Sequence, residues 1–507
     1  MSLLKKFKEK STEPDDKGVL HLGGEKLEKE LGRNIEIIEQ IFKDDETLIK
    51  REFENQKDNK VKCCALFFDG MIDNRIINES VIQPIIANTG LSKNDETIDE
   101  ILSQVIATNS VEKSGNLDEI SQGLLHGDTV LLVDGSSSAI IINTKGWQTR
   151  AITEPDNEKG LRGPREGFTE ALLINLSLIR RKILTPDLKF KFRTFGTRSN
   201  TKACICYLDS LVDKEVLDEL NRRLDKIEID GVLDVNYIVE LIKDSQMSPF
   251  KTIGVSERPD VIASKLLEGR VAIILDGTPV VLTVPYLFIE NFQANDDYYL
   301  NFYFASIGRF LRILGFLMTI SIPAVYMSFT TYHREMIPTD LALSIMEAHQ
   351  GVPFPTIVEC VIMLVLFEII RETGLRMPTN IGQALSIVGA LVIGQAAVDA
   401  KFISAPMVIV VAVTAITGLI NPKVKGAVVT LRFLFLFASA MLGIYGYAFA
   451  CIGLLIHLFS MKSFGVIYTS QISSYKFQEF KDNVFRASWE YMITRPIFVK
   501  KNIVRKK

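Results

Sequence analysis

Cysteine is scarce in this 507-residue chain: six occur, as the adjacent pair Cys63 and Cys64, the near pair Cys204 and Cys206, and the singles Cys360 and Cys451. No CxxC spacing and no regular framework is present, which argues against a zinc site or a disulfide scaffold and for small buried hydrophobes. A basic excess is missing too. The net charge is −3, and nowhere do Lys and Arg concentrate into a stripe interleaved with aromatics, so a nucleic-acid-binding role is excluded. Nucleotide-binding glycine loops, metal-ligand spacings and nucleophile signatures are likewise lacking, and we expect no enzyme, no catalytic residue, no bound metal and no cofactor. The stretch MSLLKKFKEKSTEPDD has no apolar core of a secretory signal, so the charge-rich region behind it is expected to stay on the cytoplasmic side.

The residues that are present fall into two unlike halves. Up to about Asn301 the sequence is mixed and charge-rich, whereas beyond Ile313 it contains charge-free runs long enough to cross a bilayer. The expected fold is therefore an α+β cytoplasmic head followed by an all-α polytopic transmembrane domain of four to six helices. Residues 1–33 are rich in Lys, Glu and Gly and read as a flexible segment. An α/β subdomain is expected over 34–148, a linker and helix over 149–190, a second α/β subdomain over 191–300, the membrane domain over 301–465 and a basic cytoplasmic tail over 466–507.

The head carries an internal duplication. KCCALFFDGMID (62–73) aligns with KACICYLDSLVD (202–213), placing Asp69 over Asp209 and Asp73 over Asp213. LLHGDTVLLVDG (124–135) aligns with LLEGRVAIILDG (266–277) at nearly the same offset. Two matches in register predict two related α/β units, each closing on a hairpin whose Asp-Gly pair is turn chemistry rather than a metal site. Between them Gly163-Pro164 precedes an amphipathic helix ending in Arg180, Arg181 and Lys182, cations that suit a helix C-terminus. Arg162, Arg165, Glu166 and Glu170 there, with Glu257, Arg258 and Asp260 in the SERPD stretch, read either as a ligand site or as an interdomain ion-pair network.

In the second half, candidate spans cover 313–332, 356–370, 377–398, 402–422 and 433–459, with Arg309 and Arg312 just ahead of the first. Five crossings conflict with a basic tail on the same side as the head. Either 356–370 is re-entrant, leaving four, or a segment near 339–348 adds a sixth. The stretch 356–378 stands apart because it carries charge at membrane depth: Glu359, Glu368, Arg371, Glu372 and Arg376. Glu368, Glu372 and Arg376 form one helical stripe, and Glu359 lies about half a turn away and roughly 13 Å distant along the axis. Such residues face a bundle interior or water and mark a functional pathway, unless the helix lies shallow at the headgroups. Small residues at four-residue spacing, Ser386, Ala390 and Gly394, predict a close-packing face. No inverted repeat is visible in this half, which argues against a secondary transporter.

The motifs EP (154–155), RGPREGFTE (162–170), SERPD (256–260), FEIIRETGLRMP (367–378), SIVGALVIGQAAV (386–398) and SFG (463–465) occur together in this order. In this the chain closely resembles the A-subunit family of bacterial spore germinant receptors, the GerA family, from about residue 34 to 468. The resemblance implies an integral protein of the spore inner membrane, with head and tail on the core side, that triggers germination. It implies a transporter-like B subunit and a C-subunit lipoprotein as partners, membrane lipid around the base, and homo-oligomers forming a cation channel. A stage V sporulation paralogue, or a non-conducting membrane scaffold, is the alternative; HREMIP (333–338) and VPFP (352–355) resemble the receptor branch.

Overall fold

The computed structural model describes residues 26–55, 61–88, 97–102, 111–146, 158, 160, 162–376, 394–473, 481–496 and 504–505. The first unit opens with helix α1 (Leu31–Ile41), whose Leu31, Ile35 and Ile38 recur at helical spacing and are all buried. Strands β1 (Leu48–Glu54), β2 (Lys62–Phe68) and β3 (Val111–Ser114), helix α2 (Leu117–Leu125) and the hairpin β4 (Thr129–Val133) and β5 (Ala139–Ile142) complete it. Its sheet is antiparallel throughout, in the order β1-β2-β4-β5-β3. Both hairpin strands are buried along their whole length, because α1 and α2 cover one face and short helices within 74–87 and 97–102 the other.

The second unit repeats this plan with α3 (Leu172–Lys182), β6 (Leu188–Phe195), β7 (Thr201–Leu208), α4 (Lys214–Leu224), α5 (Val235–Ile242), β8 (Gly254–Ser256), α6 (Pro259–Leu267), β9 (Val271–Leu275) and β10 (Val281–Val284). Its order, β6-β7-β9-β10-β8, is the same permutation. Equivalent hydrogen bonds recur. Asp134 N donates to Lys62 O and Asp276 N to Lys202 O, each at 2.9 Å. Gly135 and Gly277 turn the two hairpins at φ of 88° and 89°, a region that disfavours any side chain. Asp73 and Asp213 each cap the helix beside them, accepting from Arg75 N and Glu215 N.

A pair of buried asparagines shows where the second unit starts. Asn34 Oδ1 accepts from Glu28 N, and Asn175 Oδ1 from Thr169 N, both at 2.8 Å, while their amide nitrogens donate back to the Glu28 and Thr169 carbonyls. Helix α3 is thus the counterpart of α1. The segment 149–190, expected as linker and helix, contributes this opening helix to the second core, where Leu172, Leu176 and Ile179 are buried. Each clamp satisfies backbone groups of the loop ahead of its helix. Asn34→Ala and Asn175→Ala are each expected to cost about 1–3 kcal/mol, adding because the two sites share no contacts, as thermal unfolding of the full chain would measure.

Helix α3 also fastens the units together. Its Arg180 is turned inward rather than serving the helix end: it pairs with Asp45 Oδ2 at 2.6 Å and donates to Thr47 Oγ1 at 2.9 Å. Its guanidinium lies 3.8 Å from the centroid of Phe68 and 4.8 Å from that of Phe190, one ring from each unit.

The second half is helical: α7 (Phe302–Thr331), α8 (Thr339–His349), α9 (Thr356–Arg376), α10 (Ala405–Leu419), α11 (Lys425–Leu442) and α12 (Ile444–Ser460). Among the described residues two helices are long and apolar enough to cross a membrane, Phe302–Thr331 and Pro422–Leu442; Ala405–Leu419 and Ile444–Ser460 are apolar but shorter. The run 433–459, expected as one span, is divided between α11 and α12. Gly443 breaks it at φ 63°, ψ −140°, and a Cβ there would lie 2.9 Å from His333 Nε2. The possible extra span near 339–348 is an 11-residue helix with no buried residue, against about 20 residues needed to cross. Most of 377–398, including Ser386 and Ala390 of the expected packing face, lies outside the described residues.

Candidate functional site

The charges of α9 are bound by other helices. Glu359 is fully buried, and its Oε2 accepts from Ser404 N at 3.1 Å and Ser404 Oγ at 2.9 Å. Ser404 immediately precedes α10, so this carboxylate sits at the positive end of that helix. His349 of α8 approaches it to 3.6 Å, and Glu359 thereby ties three helices together. Glu368, roughly half a turn away, binds elsewhere: it accepts from Arg432 of α11 at 2.7 Å and pairs with Arg371 on its own helix. Arg432 is buried, with a side chain 2% exposed. Glu372 and Arg376 pair with each other at 2.8 Å, both exposed. The expected stripe therefore splits. Glu368 turns toward α11, and Glu372 and Arg376 are exposed near the end of α9.

Sequence reasoning missed Arg432, Ser404 and His349. Arg432 had a visible signal as a single cation inside the apolar stretch from Leu431 to Ala440, but the candidate span was drawn from Phe433, one residue past it.

A second charge network joins head, base and tail. Asp297 is buried and receives Arg309 at 2.9 Å and Arg312 at 2.7 Å. Arg309, fully buried, also reaches Asp482 of the tail at 2.8 Å, and Arg486 donates to the Asp297 carbonyl at 2.6 Å. Arg309 and Arg312 lie just ahead of the first expected span; Arg309 binds the tail through Asp482, while Arg312 binds Asp297 and the Phe292 carbonyl. The described tail residues 481–496 are docked by these bonds.

The third joint is the SFG stretch after α12. Phe464 is buried in the core between the second sheet and helices α4 and α5. Its backbone N donates to Asp244 at 3.1 Å, and Arg223, itself paired with Asp244 at 2.7 Å, lies 4.4 Å from its ring centroid. Ser463 Oγ donates to Thr252 O at 2.7 Å and accepts from Tyr286 N at 3.0 Å. The last apolar helix is thereby plugged into the head.

The remaining candidates lie around the second unit. Arg258, 1% exposed, binds Asp260 through two nitrogens at 3.1 and 2.9 Å and donates to Pro164 O at 2.8 Å; Tyr299 OH donates to the same carboxylate at 2.6 Å. Burial works to raise the Asp260 carboxyl, but Arg258 and Tyr299 hold it below its ordinary range. Glu166 pairs with Lys182 at 2.8 Å. Glu257 and Glu170 take part through their backbone carbonyls, which accept from Phe168 N and Gly277 N. Arg162 and Arg165 are exposed. These contacts join the connecting segment to α6 and the start of the base.

Acid should loosen this region. Burial pushes the Glu268 carboxyl up, but Lys265, Arg270 and Arg505 outweigh it and hold it down at about 2. Burial acts upward on Asp297 too, and there Arg312 and Arg309 overcome it, so this carboxyl is also lowered. A depressed carboxyl stabilises the fold above its unfolded value, about 4.3 for Glu and about 3.9 for Asp, and that stability is lost as pH falls toward the folded value. The thermal midpoint of the full chain is expected to drop between about pH 4.5 and pH 2. Glu268→Gln should flatten that slope, and an unchanged slope would contradict the assignment.

Two duplicated antiparallel α/β units are joined to an apolar helical base by buried charge pairs and by the plug that follows the last helix. The profile described as Bacillus/Clostridium GerA spore germination protein matches residues 36–498, and the chain belongs to that family. It is 41% identical to spore germination protein KA of Bacillus subtilis (strain 168) over 473 residues, covering 93% of this chain and 87% of that protein. It is 39% identical to the uncharacterized membrane protein YfkQ of the same organism, covering 85% and 84%. The crystal structure of the N-terminal domain of the A subunit of the Bacillus megaterium spore germinant receptor GerK3 aligns with 52% of this chain and 98% of its own, at 28% identity and a TM-score of 0.42.

Proposed function

We propose that this chain is the A subunit of a nutrient germinant receptor in the spore inner membrane, acting with a transporter-like B subunit and a C-subunit lipoprotein. Several copies assemble around a cation path that the nutrient-sensing partner opens. The observation that carries the receptor assignment is the family match along nearly the whole chain. Conduction is supported by Glu368 and Arg432, an acid and a base on neighbouring apolar helices, where charge is costly unless it serves a pathway. Outward apolar side chains, among them Ile362, Val365 and Ile369 of α9 and Phe449, Ile452 and Ile456 of α12, suit lipid or a second copy. Contact of the tail with the head, at Tyr298 and at the Leu267 carbonyl, favours both lying on one side of the membrane.

Spores lacking this chain should lose nutrient-triggered ion release, and the wild-type chain should restore it; unaltered release would contradict the assignment. A second reading, a non-conducting membrane scaffold, is favoured by the way Glu359 and Glu368 find partners within one chain. Ion flux through reconstituted complexes separates the two.

A further inference from the structure

Helix α5 is apolar on two opposite faces. Val235, Ile238 and Ile242 pack into the core of the second unit, while Leu233, Tyr237 and Leu241, recurring every fourth residue, stand exposed on the other side. Met247, in the loop that follows, is 96% exposed, so four of the head's exposed large apolar side chains fall within 233–247. Only one flank of the helix is polar, where Asn236 Nδ2 donates to Glu240 Oε1 at 3.3 Å. A helix that is apolar nearly all round is normally buried, and an exposed cluster of this kind marks a surface that something covers. The first unit supplies the contrast. With Ile98 and Ile101 laid over Val235 and Ile238, Glu100 stands where α5 has Tyr237.

The loop after α5 is fastened to the last turns of α12. Ser248 Oγ is hydrogen-bonded to His457 Nε2 at 2.9 Å and lies 3.4 Å from Met461 Sδ, and the Phe250 ring centroid is 6.2 Å from that of His457. His457 stands between Ile456 and Phe459, whose side chains are exposed on the outside of the helix. Met247 is the neighbour of Ser248, with its Cα only about 3.8 Å away, so it sits near the depth of those side chains rather than far beyond them. No Lys or Arg occurs between Arg432 and Lys462, and Lys462 is exposed, as expected where a helix leaves acyl chains for headgroups. Whatever surrounds the end of α12 therefore also meets Met247.

We propose that α5 and the loop after it form an interfacial anchor, with Leu241 and Met247 seated where headgroups meet acyl chains in the leaflet around the end of α12. Together with the Phe464 plug, this anchor holds the second unit of the head against the bilayer at two points. The inference deepens the receptor reading and rests on its claim that the base spans a membrane.

Cys63, Cys64, Cys204, Cys206 and Cys360 are buried, so in a Cys451→Ser background an introduced surface thiol takes a nitroxide label alone. The full chain is labelled at Met247→Cys or Leu241→Cys, with Ile456→Cys of α12 and Arg75→Cys of the first unit, whose native side chain is 85% exposed, as references. In nanodiscs of phosphatidylcholine and phosphatidylglycerol in equal parts, collisions with oxygen, which partitions into lipid, are compared with those of a water-soluble nickel chelate. Oxygen is expected to dominate at Met247→Cys and Leu241→Cys, as at Ile456→Cys, and nickel at Arg75→Cys. Nickel dominating at Met247→Cys while oxygen dominates at Ile456→Cys would overturn the anchor and leave the membrane reading standing. Nickel dominating at both would overturn both. Exclusion of both reagents at Met247→Cys would show that protein, such as a second copy, covers the loop, and would overturn the proposal as well.

Discussion

Replacing Phe464 with alanine is expected to lower the stability of the full chain by about 3–5 kcal/mol, because a phenyl ring leaves a packed core and the space cannot fully close. A larger consequence concerns coupling. Phe464 stands just beyond the end of α12, yet its ring belongs to the core of the second α/β unit. Its loss also strips Arg223 of the ring it covers, although the pair with Asp244 remains. The head should then move independently of the helical base. We expect Phe464→Ala spores to assemble the protein but lose most of their nutrient response, whereas Phe464→Leu, which refills much of the space, should recover both stability and response. A stable Phe464→Ala protein with a full response would show that the plug transmits nothing.

The second large effect concerns Glu368 and Arg432. Arg432 is buried, and Glu368→Gln leaves it beside Arg371 with no carboxylate between them. Breaking a buried pair from one side costs about 3–5 kcal/mol, while replacing both members with apolar residues is often close to neutral. Glu368→Gln and Arg432→Leu should therefore each destabilise the chain strongly, and Glu368→Leu with Arg432→Leu together should restore most of the loss. Thermal unfolding of the wild type, the single variants and the double variant measures their coupling. Under the proposed function the restored double variant folds and assembles but no longer passes cations. Separating stability from flux in this way makes the pair informative: a scaffold would recover with its fold, and a conduit would not.

How far the sequence anticipates this structure depends on the range of the interaction. Duplication is legible because Asp-Gly turns and capping aspartates are local devices: Gly135 and Gly277 must occupy a positive-φ turn wherever the hairpin recurs, and Asp73 and Asp213 cap the helices that begin at the next residue. The start of the second unit is hidden because Asn175 clamps a loop through backbone groups that leave no pattern. Likewise, Phe464 falls at the end of the expected membrane domain, since nothing near it in sequence reveals a core hundreds of residues earlier in the chain. Hydropathy marked the apolar runs but not the break at Gly443, where the nearness of Tyr332 and His333 excludes any side chain. Charged positions on α9 stood out at once. Their partners Ser404 and Arg432 did not, because pairing across helices depends on rotation and depth, which composition does not encode.

The most direct test of the conduction account is the reversal potential of reconstituted complexes under a salt gradient, with wild-type chain compared with folded Glu368→Gln or the paired leucine variant. The account predicts cation-selective current in the wild type, a shift of the reversal potential toward zero in Glu368→Gln, and loss of the current in the paired leucine variant. Equal conductance and equal selectivity in all of them would contradict it.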